Sequence, residues 1–416
     1  MEKIRAEAFD AMQNFYRTAH VPLVRCVIRF AGRADAAALT RAVGLTLPAV
    51  PQAACGYDGK RGRWVPAGFT AADMVEVFGD PDGSVLEKLR LSDIDFNRGP
   101  QLRLFLARGA ENDSLCVLIS HLVSDGGGFK QYLYLLAETY ARCAADPAFC
   151  ARAKPGDRGL GQLLRGRGFF EKLKILFQRF PVTHQEPGLY PPLRGDAERP
   201  FLIRCRLESG LLAAVAACAK QNGASVNDMI LTAYARALGR WTGQRHVELP
   251  CPVDLRKYIG DPAACGVCNL TGNFRCAVEI PPDEPFKATL RRVRAQMQAQ
   301  KTSAQGLKWP AVLGLAFRVL PYPVIRRIFP KAITVPVVSY TNMGVIDEAR
   351  LSFGGLRAED AFLSTAVKYA PYFQVAVSTW HGVCSLCSCF HGTTEDEAAV
   401  RRFLGEIRGE LAAADE

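Results

Sequence analysis

The sequence predicts an α+β protein built from two domains, and three observations support this prediction. The chain has 416 residues, more than one ordinary hydrophobic core accommodates. Strand-like and helix-like runs are mixed in both halves, and some strands follow each other as hairpins, which favours α+β over a doubly wound parallel sheet. A segment rich in glycine and proline over residues 151–200 has the composition of a linker and separates the two halves.

The first half alternates short strands with helices. Apolar runs predict the strands, a turn-rich stretch over residues 109–113 predicts a hairpin between two of them, and Asp35 is placed to cap a helix. The predicted elements are strands at residues 21–30, 102–107 and 115–119 and helices at residues 36–43 and 129–140.

The second half has the same mixture. Ser209 and Ser225 are placed to cap helices over residues 210–220 and 226–238. The other predicted elements are strands at residues 202–207, 246–249, 335–340, 373–379 and 383–390 and helices at residues 286–301 and 395–412, with a proline-rich apolar stretch at 309–337. We therefore expect an N-terminal subdomain at residues 1–165, a crossover segment at 166–200 and a C-terminal subdomain at 201–416.

The charge balance predicts anionic partners. The chain carries 52 Lys and Arg residues against 41 Asp and Glu residues, a formal charge of +11. Such a balance suits phosphates, a nucleotide-bearing cofactor, an acidic carrier protein or anionic lipid. No nucleic-acid-binding motif is visible, so nucleic acid is not an expected partner.

The N-terminus is charged and has no apolar signal core, and no long apolar run predicts a membrane-spanning helix. We therefore expect a cytoplasmic protein. Residues 169–180 are both basic and apolar, and two interpretations stay open for them. They could rest on a membrane surface as a peripheral contact, or pack on the protein as a linker helix, which is the favoured interpretation.

The cysteines allow a metal site but do not favour one. Cys265 and Cys268 have the spacing of metal ligands, and Cys384, Cys387 and Cys389 form a second group. The second group lies in an alternating small and apolar strand, where cysteine serves as a small hydrophobic residue. We expect reduced, structural thiols and no metal.

One histidine has the most specific surroundings. His121 follows the predicted strand at 115–119 and precedes the predicted helix, so it lies on a loop where a side chain can face a cleft. A histidine with a near-neutral pKa can accept a proton from an alcohol, thiol or amine and return it later. Asp125 could cap the helix, orient His121 or form a buried ion pair, and we prefer the cap or the ion pair. The glycines at 126–128 allow a tight turn and the close passage of a substrate.

The run from Ser120 to Gly126 resembles the H-H-x-x-x-D-G signature of the chloramphenicol-acetyltransferase-like acyltransferases. These enzymes include condensation domains of nonribosomal peptide synthetases, alcohol acetyltransferases, wax-ester synthases and plant acyltransferases. Further stretches resemble this superfamily in the expected order, at residues 224–238, 252–256, 269–274 and 339–344. The resemblance covers nearly the whole chain.

This resemblance implies two chloramphenicol-acetyltransferase-like subdomains arranged as a V-shaped pseudo-dimer with a tunnel between them. It implies that His121 is the catalytic histidine and that Asp125 makes a structural salt bridge, for which Arg256 is the best candidate partner. Gly126 would leave room for the acyl-carrier arm. Ser120 replaces the first histidine of the signature, which argues against a typical condensation domain.

Polar residues of the second half are candidates for the rest of the site. The resemblance implies that a hydroxyl or amide from Ser339, Thr341 or Asn342 could stabilise an oxyanion. Asn269 and Asn273 could line the tunnel or end a strand.

The implied activity is transfer of an acyl group from a thioester to a hydroxyl or amine, with His121 as the general base. The expected donor is acyl-coenzyme A or acyl-phosphopantetheine as a cosubstrate, and the expected acceptor is a small alcohol or amine. An acidic carrier protein is a candidate partner. No permanently bound cofactor is expected. A free-standing condensation enzyme that uses carrier-bound donors and a non-catalytic binding member of the fold are the alternatives.

A hydrolase using Cys116, Cys251 or Ser124 is a further alternative. It is disfavoured because no G-x-S-x-G elbow is present and because Ser124 lies only three residues from His121 on one loop.

Overall fold

The structure, a computed structural model, describes residues 3–178, 188–302, 304–332 and 335–414. The strands of this part of the chain are β1 (Ile4–Arg5), β2 (His20–Val21), β3 (Leu23–Phe30), β4 (Cys55–Asp58), β5 (Arg63–Pro66), β6 (Val75–Gly79), β7 (Leu102–Arg108), β8 (Asp113–Ser120), β9 (Pro200–Leu207), β10 (His246–Asp254), β11 (Thr271–Glu279), β12 (Val338–Val345), β13 (Ala358–Ser364), β14 (Val367–Lys368), β15 (Phe373–Trp380) and β16 (Val383–His391). The helices are α1 (Ala8–Phe15), α2 (Ala36–Thr46), α3 (Ser84–Leu89), α4 (Gly126–Ala145), α5 (Phe169–Phe177), α6 (Ser209–Gln221), α7 (Val226–Thr242), α8 (Phe286–Lys301), α9 (Lys308–Val319), α10 (Tyr322–Ala332) and α11 (Thr394–Ala412).

Two mixed sheets organise the described residues, which confirms the predicted α+β class. The first sheet has the order β13-β3-β8-β7-β6, and α2 and α4 pack against each other beside it. The second has the order β12-β15-β16-β14-β2, with β9 also paired to β16. Antiparallel and parallel pairings occur in both sheets, since β6 pairs β7 in parallel and β12 pairs β15 in parallel.

Each sheet takes a strand from the other half of the chain. Strand β13, late in the sequence, pairs β3 in the first sheet, and β2 near the N-terminus pairs β14 in the second. The halves are therefore interlocked by hydrogen bonds as well as by packing. The boundaries at residues 165 and 201 stay a prediction.

Local sequence explains most helix starts. Asp35 and Asp125 accept backbone hydrogen bonds at the starts of α2 and α4, and Ser225 forms a capping box at α7. Helix α8 spans the predicted residues 286–301. The prediction that Ser209 caps α6 is wrong: the helix already begins at Ser209, and Glu208 takes the cap position without a side-chain hydrogen bond.

The proline-rich stretch at 309–337 contains two helices, α9 and α10. Pro310 is tolerated because it lies in the first turn of α9, where its missing N–H costs no helical hydrogen bond. The strand predicted at residues 335–340 begins only at Val338 and extends to Val345. No helix among the described residues combines the length and apolarity that crossing a bilayer requires.

The buried apolar residues of the described ranges form three clusters. The first surrounds the first sheet and α4, and the second surrounds the second sheet with α7, α8 and α11. A smaller third cluster joins α1, α5, α9 and α10 to residues Leu255, Cys268 and Leu270. These three residues belong to the segment that approaches the histidine loop, so the third cluster supports that segment from behind.

Candidate active site

The histidine loop begins where β8 ends. The His121 N–H donates to the Pro22 carbonyl at 2.7 Å, and the Ser120 hydroxyl accepts a hydrogen bond from the Leu122 N–H at 3.2 Å. The Ser120 carbonyl accepts from the N–H groups of Val123 and Ser124 at 2.9 and 3.2 Å. Ser120, which replaces a histidine of the signature, therefore fixes the turn through its hydroxyl and its backbone.

Asn269 holds the imidazole of His121. Its Oδ1 lies 3.2 Å from His121 Nδ1. Its Nδ2 donates to the carbonyls of His121 and Leu122 at 3.0 and 3.3 Å and to Asp10 Oδ1 at 3.3 Å. Because these acceptors require the amide NH₂, the amide oxygen must face the ring and accept a proton from Nδ1. This assignment leaves Nε2 with a lone pair.

The surroundings favour the neutral form of His121. Burial lowers the pKa of His121, and the nearby Lys368 ammonium lowers it further. The carboxylate of Asp125 and the hydrogen bond to Asn269 oppose this shift but do not cancel it. The imidazole is thus available as a proton acceptor at neutral pH.

Lys368 and His20 form a buried pair that sequence reasoning missed. Lys368 Nζ lies 3.1 Å from His20 Nδ1, and the two residues face each other across β14 and β2. Burial lowers the pKa of Lys368 to about 8. Burial, Lys368 and His121 all lower the pKa of His20. No local pattern predicts this pair, because 348 residues separate its members.

Asp125 anchors the loop to the second half of the chain. Its carboxylate caps α4 by accepting from Gly128 N–H at 2.8 Å, and it accepts from Leu270 N–H and Thr271 Oγ1 at 2.6 and 2.8 Å. Arg256 Nη1 lies 3.0 Å from Asp125 Oδ1, and both side chains are buried. Burial alone would raise the pKa of Asp125, but Arg256 and the hydrogen-bond donors outweigh it and lower the pKa.

The three glycines after Asp125 permit close approach. A Cβ on Gly126 would lie 2.9 Å from Met343 Cγ, so β12 touches the start of α4 at this position. A Cβ on Gly128 would lie 2.4 Å from Ser124 Oγ and 2.5 Å from the Cys268 carbonyl oxygen. These positions lack side chains because other parts of the protein occupy the space, and none of the three has a positive φ.

Asp10 and Arg158 form a second anchor that sequence reasoning missed. Arg158 Nη2 donates to both carboxylate oxygens of Asp10, at 3.0 and 2.9 Å, and Arg158 Nη1 donates to the carbonyls of Val123 and Val267. The pair therefore joins α1 to the two chain segments that carry His121 and Asn269. Asp10 lies in an ordinary amphipathic helix and Arg158 in a glycine-rich segment, so neither offered a sequence signal.

The candidates on β12 face different neighbours. Ser339 is buried, and its hydroxyl donates to the Phe373 carbonyl at 3.5 Å. Asn342 Nδ2 donates to Asn227 Oδ1 at 2.8 Å, and its own Oδ1 accepts from Gly344 N–H at 2.7 Å. Thr341 is half-buried on the face of β12 opposite to Asn342.

Asn273 is separate from this group. It lies exposed on β11, where it pairs with Pro252 of β10. The structure thus brings His121, Asp125, Arg256 and Asn269 into one hydrogen-bonded group and leaves Asn273 on an exposed strand position.

The cysteines occupy structural surroundings. None of the 14 cysteines, all of which lie in the described ranges, forms a disulfide bond. Cys265 Sγ and Cys268 Sγ lie 3.9 Å apart, and the three cysteines of β16 are buried. Across the described ranges, no three His, Cys, Asp or Glu side chains form a group that could hold a metal ion.

The proposed hydrolase nucleophiles are poorly placed for nucleophilic attack. Burial raises the pKa of Cys116 to about 12, and it raises that of Cys251 well above the ordinary value. Ser124 is buried, and its hydroxyl donates to the Asp125 and Cys268 carbonyls at 3.1 and 3.5 Å. Neither thiol is ionised at neutral pH, and the hydroxyl is held by backbone acceptors.

The chain is similar to a known acyltransferase family in its C-terminal half, and its overall fold is shared with acyltransferases and condensation domains. Residues 196–392 match a family model described as the C-terminus of phthiocerol/phthiodiolone dimycocerosyl transferase. Among curated proteins, the chain is 27% identical over 404 residues to the uncharacterized protein Rv2305 of Mycobacterium tuberculosis, and the match covers 90% of both chains.

Solved structures share the whole fold. Polyketide synthase associated protein 5 from Mycobacterium tuberculosis matches with a TM-score of 0.69 at 17% identity, covering 99% of this chain and 98% of the other. The first condensation domain of the CDA synthetase matches with a TM-score of 0.70 at 17% identity, covering 99% and 96%. Trichothecene 15-O-acetyltransferase from Fusarium sporotrichioides matches with a TM-score of 0.69 at 12% identity, covering 99% and 95%. At these identities the likeness shows a common fold.

Proposed function

We propose that this protein transfers an acyl group from a thioester to a hydroxyl or amine acceptor, with His121 as the general base. The donor is acyl-coenzyme A or an acyl group on a phosphopantetheine arm. Donor and acceptor meet at His121 in a tunnel between the two halves of the chain. The observation that carries the proposal is the orientation of His121 by Asn269, which directs the lone pair to Nε2.

The reaction needs one base that later acts as an acid. His121 Nε2 accepts the proton of the acceptor hydroxyl or amine as that group attacks the thioester carbonyl carbon. The carbonyl π bond breaks, and a tetrahedral oxyanion forms. When the oxyanion collapses, the carbon–sulfur bond breaks and the thiolate leaves. The imidazolium then returns its proton to the thiolate, so His121 is neutral again and no covalent enzyme intermediate forms.

Two residues have positioning roles in this scheme. Asn269 keeps the Nδ1 proton in place and, through its other hydrogen bonds, fixes the ring relative to the backbone. Asp125 holds the loop through its ion pair with Arg256. Both roles act through His121 and require no contact with substrate.

The oxyanion needs a hydrogen-bond donor, and Thr341 is the best candidate on β12. The hydroxyl of Ser339 is directed to the Phe373 carbonyl, and the amide of Asn342 is held by Asn227 and by its own turn. Thr341 lies on the opposite face from Asn342 and is half-buried.

A hydroxyl acceptor is favoured over an amine, because one structural relative is by name an O-acetyltransferase. The matched family is described as a dimycocerosyl transferase, which supports an acyl donor with a large apolar chain. The runner-up is a free-standing condensation enzyme with carrier-bound donors, supported by the condensation-domain relatives. The positive charge of the chain suits either the phosphates of coenzyme A or an acidic carrier.

The test is thiol release from a panel of acyl-coenzyme A esters and acyl-carrier proteins, offered with alcohol and amine acceptors. We expect His121→Ala to lower kcat by about 10²- to 10⁴-fold while the circular dichroism spectrum stays unchanged. The matched control is His246→Ala, which changes the first residue of β10 and should retain activity. Full activity in His121→Ala would exclude it as the base. Turnover with carriers alone would exclude coenzyme A as the donor, and no turnover across the panel would refute acyl transfer.

A further inference from the structure

Exposed apolar side chains are concentrated on one part of the surface. Across the described ranges, ten of the 14 large exposed hydrophobic residues lie on α5, α9, α10 or the turn between the last two. Phe169, Phe170 and Phe177 of α5 are 71%, 82% and 79% exposed. The others are Leu173, Val312, Leu315, Val319, Leu320, Val324 and Ile328. We call this set the three-helix surface.

The exposed residues form stripes at helical spacing, and the opposite faces are buried. On α9 the stripe has Val312, Leu315 and Val319, whereas Leu313 and Phe317 lie in the third hydrophobic cluster. Helix α5 packs against α9, and α9 packs against α10. Each helix therefore already has a packed face, and the apolar stripes are a second, outward-facing set.

The same helices are strongly basic. Together α5, α9 and α10 carry seven Lys and Arg residues against a single acid, Glu171. Glu171 is paired with Arg167. The exposed cations are Lys174, Arg318, Arg326, Arg327 and Lys331. This ratio is far more basic than that of the whole chain, which has 52 basic residues against 41 acidic ones.

We propose that the three-helix surface docks on an anionic lipid membrane. Short helices that combine exposed phenylalanine and leucine with lysine and arginine bind in the plane of the headgroups, where the rings enter the acyl boundary and the cations meet lipid phosphates. The charge also disfavours a second copy of this chain as the occupant, because two copies would bring like charges together. The proposal requires no acyl transfer, so it stands apart from the proposed function.

A cleft adjoins the three-helix surface. It has a volume of about 730 Å³ and is lined by α5, α9, residues 5–8 and residues 159–165. Lys172, Leu176, Leu315 and Arg318 are among its lining residues, and Glu7 is its one acidic residue. Leu315 and Arg318 belong to both the cleft and the exposed side of α9. The docked face thus has an apolar recess with cations at its edge, a combination that suits an anionic amphiphile such as a lipid.

The experiment is co-sedimentation of the full chain with vesicles. Equimolar phosphatidylglycerol and phosphatidylcholine vesicles are compared with pure phosphatidylcholine vesicles, at low and high NaCl. We expect binding to the anionic vesicles that weakens with salt. Phe169→Ser/Phe170→Ser should weaken it by about tenfold or more, because these two exposed rings would no longer be buried in the acyl region of the bilayer. Lys174→Glu/Arg326→Glu should weaken it by a similar factor.

The control variant makes the same kinds of change on α3, from an apolar residue to serine and from a basic residue to glutamate. Val85 is 38% exposed and Lys88 is exposed on that helix, so Val85→Ser/Lys88→Glu should bind vesicles like the unchanged chain. His121→Ala should also bind normally, which separates docking from acyl transfer.

Four outcomes would overturn the proposal. The first three are absence of sedimentation with anionic vesicles, equal loss of binding in the α3 control, and self-association in solution that the α5 variant abolishes. A fourth is binding of an acidic carrier protein that the α5 variant abolishes without any effect on vesicle binding.

Discussion

Replacement of Asp125 by alanine should destabilise the protein far more than the loss of a helix cap alone would. The change removes a buried carboxylate that caps α4, accepts hydrogen bonds from Leu270 and Thr271, and pairs with Arg256. It leaves the Arg256 guanidinium buried with one remaining carboxylate, that of Asp254 at 3.1 Å.

The magnitude follows from these contacts. Breaking a buried ion pair by removing one partner costs about 3–5 kcal/mol. The side chain of Asp254 is 53% exposed and partly compensates Arg256, which favours the lower end of this range. A lost cap adds about 1 kcal/mol. We therefore expect a loss of roughly 4 kcal/mol in the free energy of unfolding for Asp125→Ala.

The measurement is urea unfolding followed by circular dichroism, with Asp35→Ala as the matched control. Asp35 caps α2 through the Ala37 and Ala38 N–H groups but is exposed, so its loss should cost only about 1 kcal/mol. A cycle of Asp125→Ala, Arg256→Met and the double variant should give a coupling energy of about 2–3 kcal/mol. The reasoning is refuted if both aspartate variants lose equal stability and the coupling energy is near zero.

The stabilisation by Asp125 should also depend on pH in one direction. Because its pKa in the folded protein is lowered from 3.8, its contribution is complete above that value. It should be lost as the pH falls through the lower, folded-state pKa. The difference in stability between the unchanged chain and Asp125→Ala should therefore be constant near neutral pH and shrink only in acid.

Two further predictions concern the histidine loop. The acid limb of the pH profile of kcat/KM should lie below pH 6.5, because the pKa of His121 is lowered. Lys368→Met should move that limb to higher pH, because it removes a nearby positive charge. A pH profile unchanged by the substitution would contradict this. Gly128→Ala should lower the free energy of unfolding in urea by about 1–3 kcal/mol, because its Cβ meets the Cys268 carbonyl. Gly405→Ala, with open space around the Cβ, should be neutral or stabilising. Equal effects of the two substitutions would show that the histidine loop can relax.

Local patterns in the sequence predicted much of the histidine loop, the part of the site that the N-terminal half of the chain supplies. An apolar run followed by helical spacing placed His121 between β8 and α4, and the structure confirms both elements. Asp125 at the start of the helix indicated a cap, which the structure also shows. The pairing of Asp125 with Arg256, expected only from the family resemblance, is present as well. Periodicity and capping are readable because they involve neighbours in sequence.

The sequence was less informative where an apolar stretch is compatible with more than one type of secondary structure. The stretch at 309–337 carries prolines and apolar residues that suit either strands or helices, and only its packing on α1 and α5 decided for two helices. Their outward apolar stripes could not be predicted either, since the same residues could have filled a core.

The sequence by itself determined the α+β class, the position of the histidine loop and the cap at Asp125, because hydrophobic period and capping chemistry act over a few residues. The tertiary structure alone decided that Asn269 orients His121, that Asp10 and Arg158 hold both segments, and that β2 and β13 exchange between the sheets. Those contacts join residues more than a hundred positions apart, and their geometry depends on the packing of the whole chain, which leaves no repeat or spacing in the sequence to indicate them.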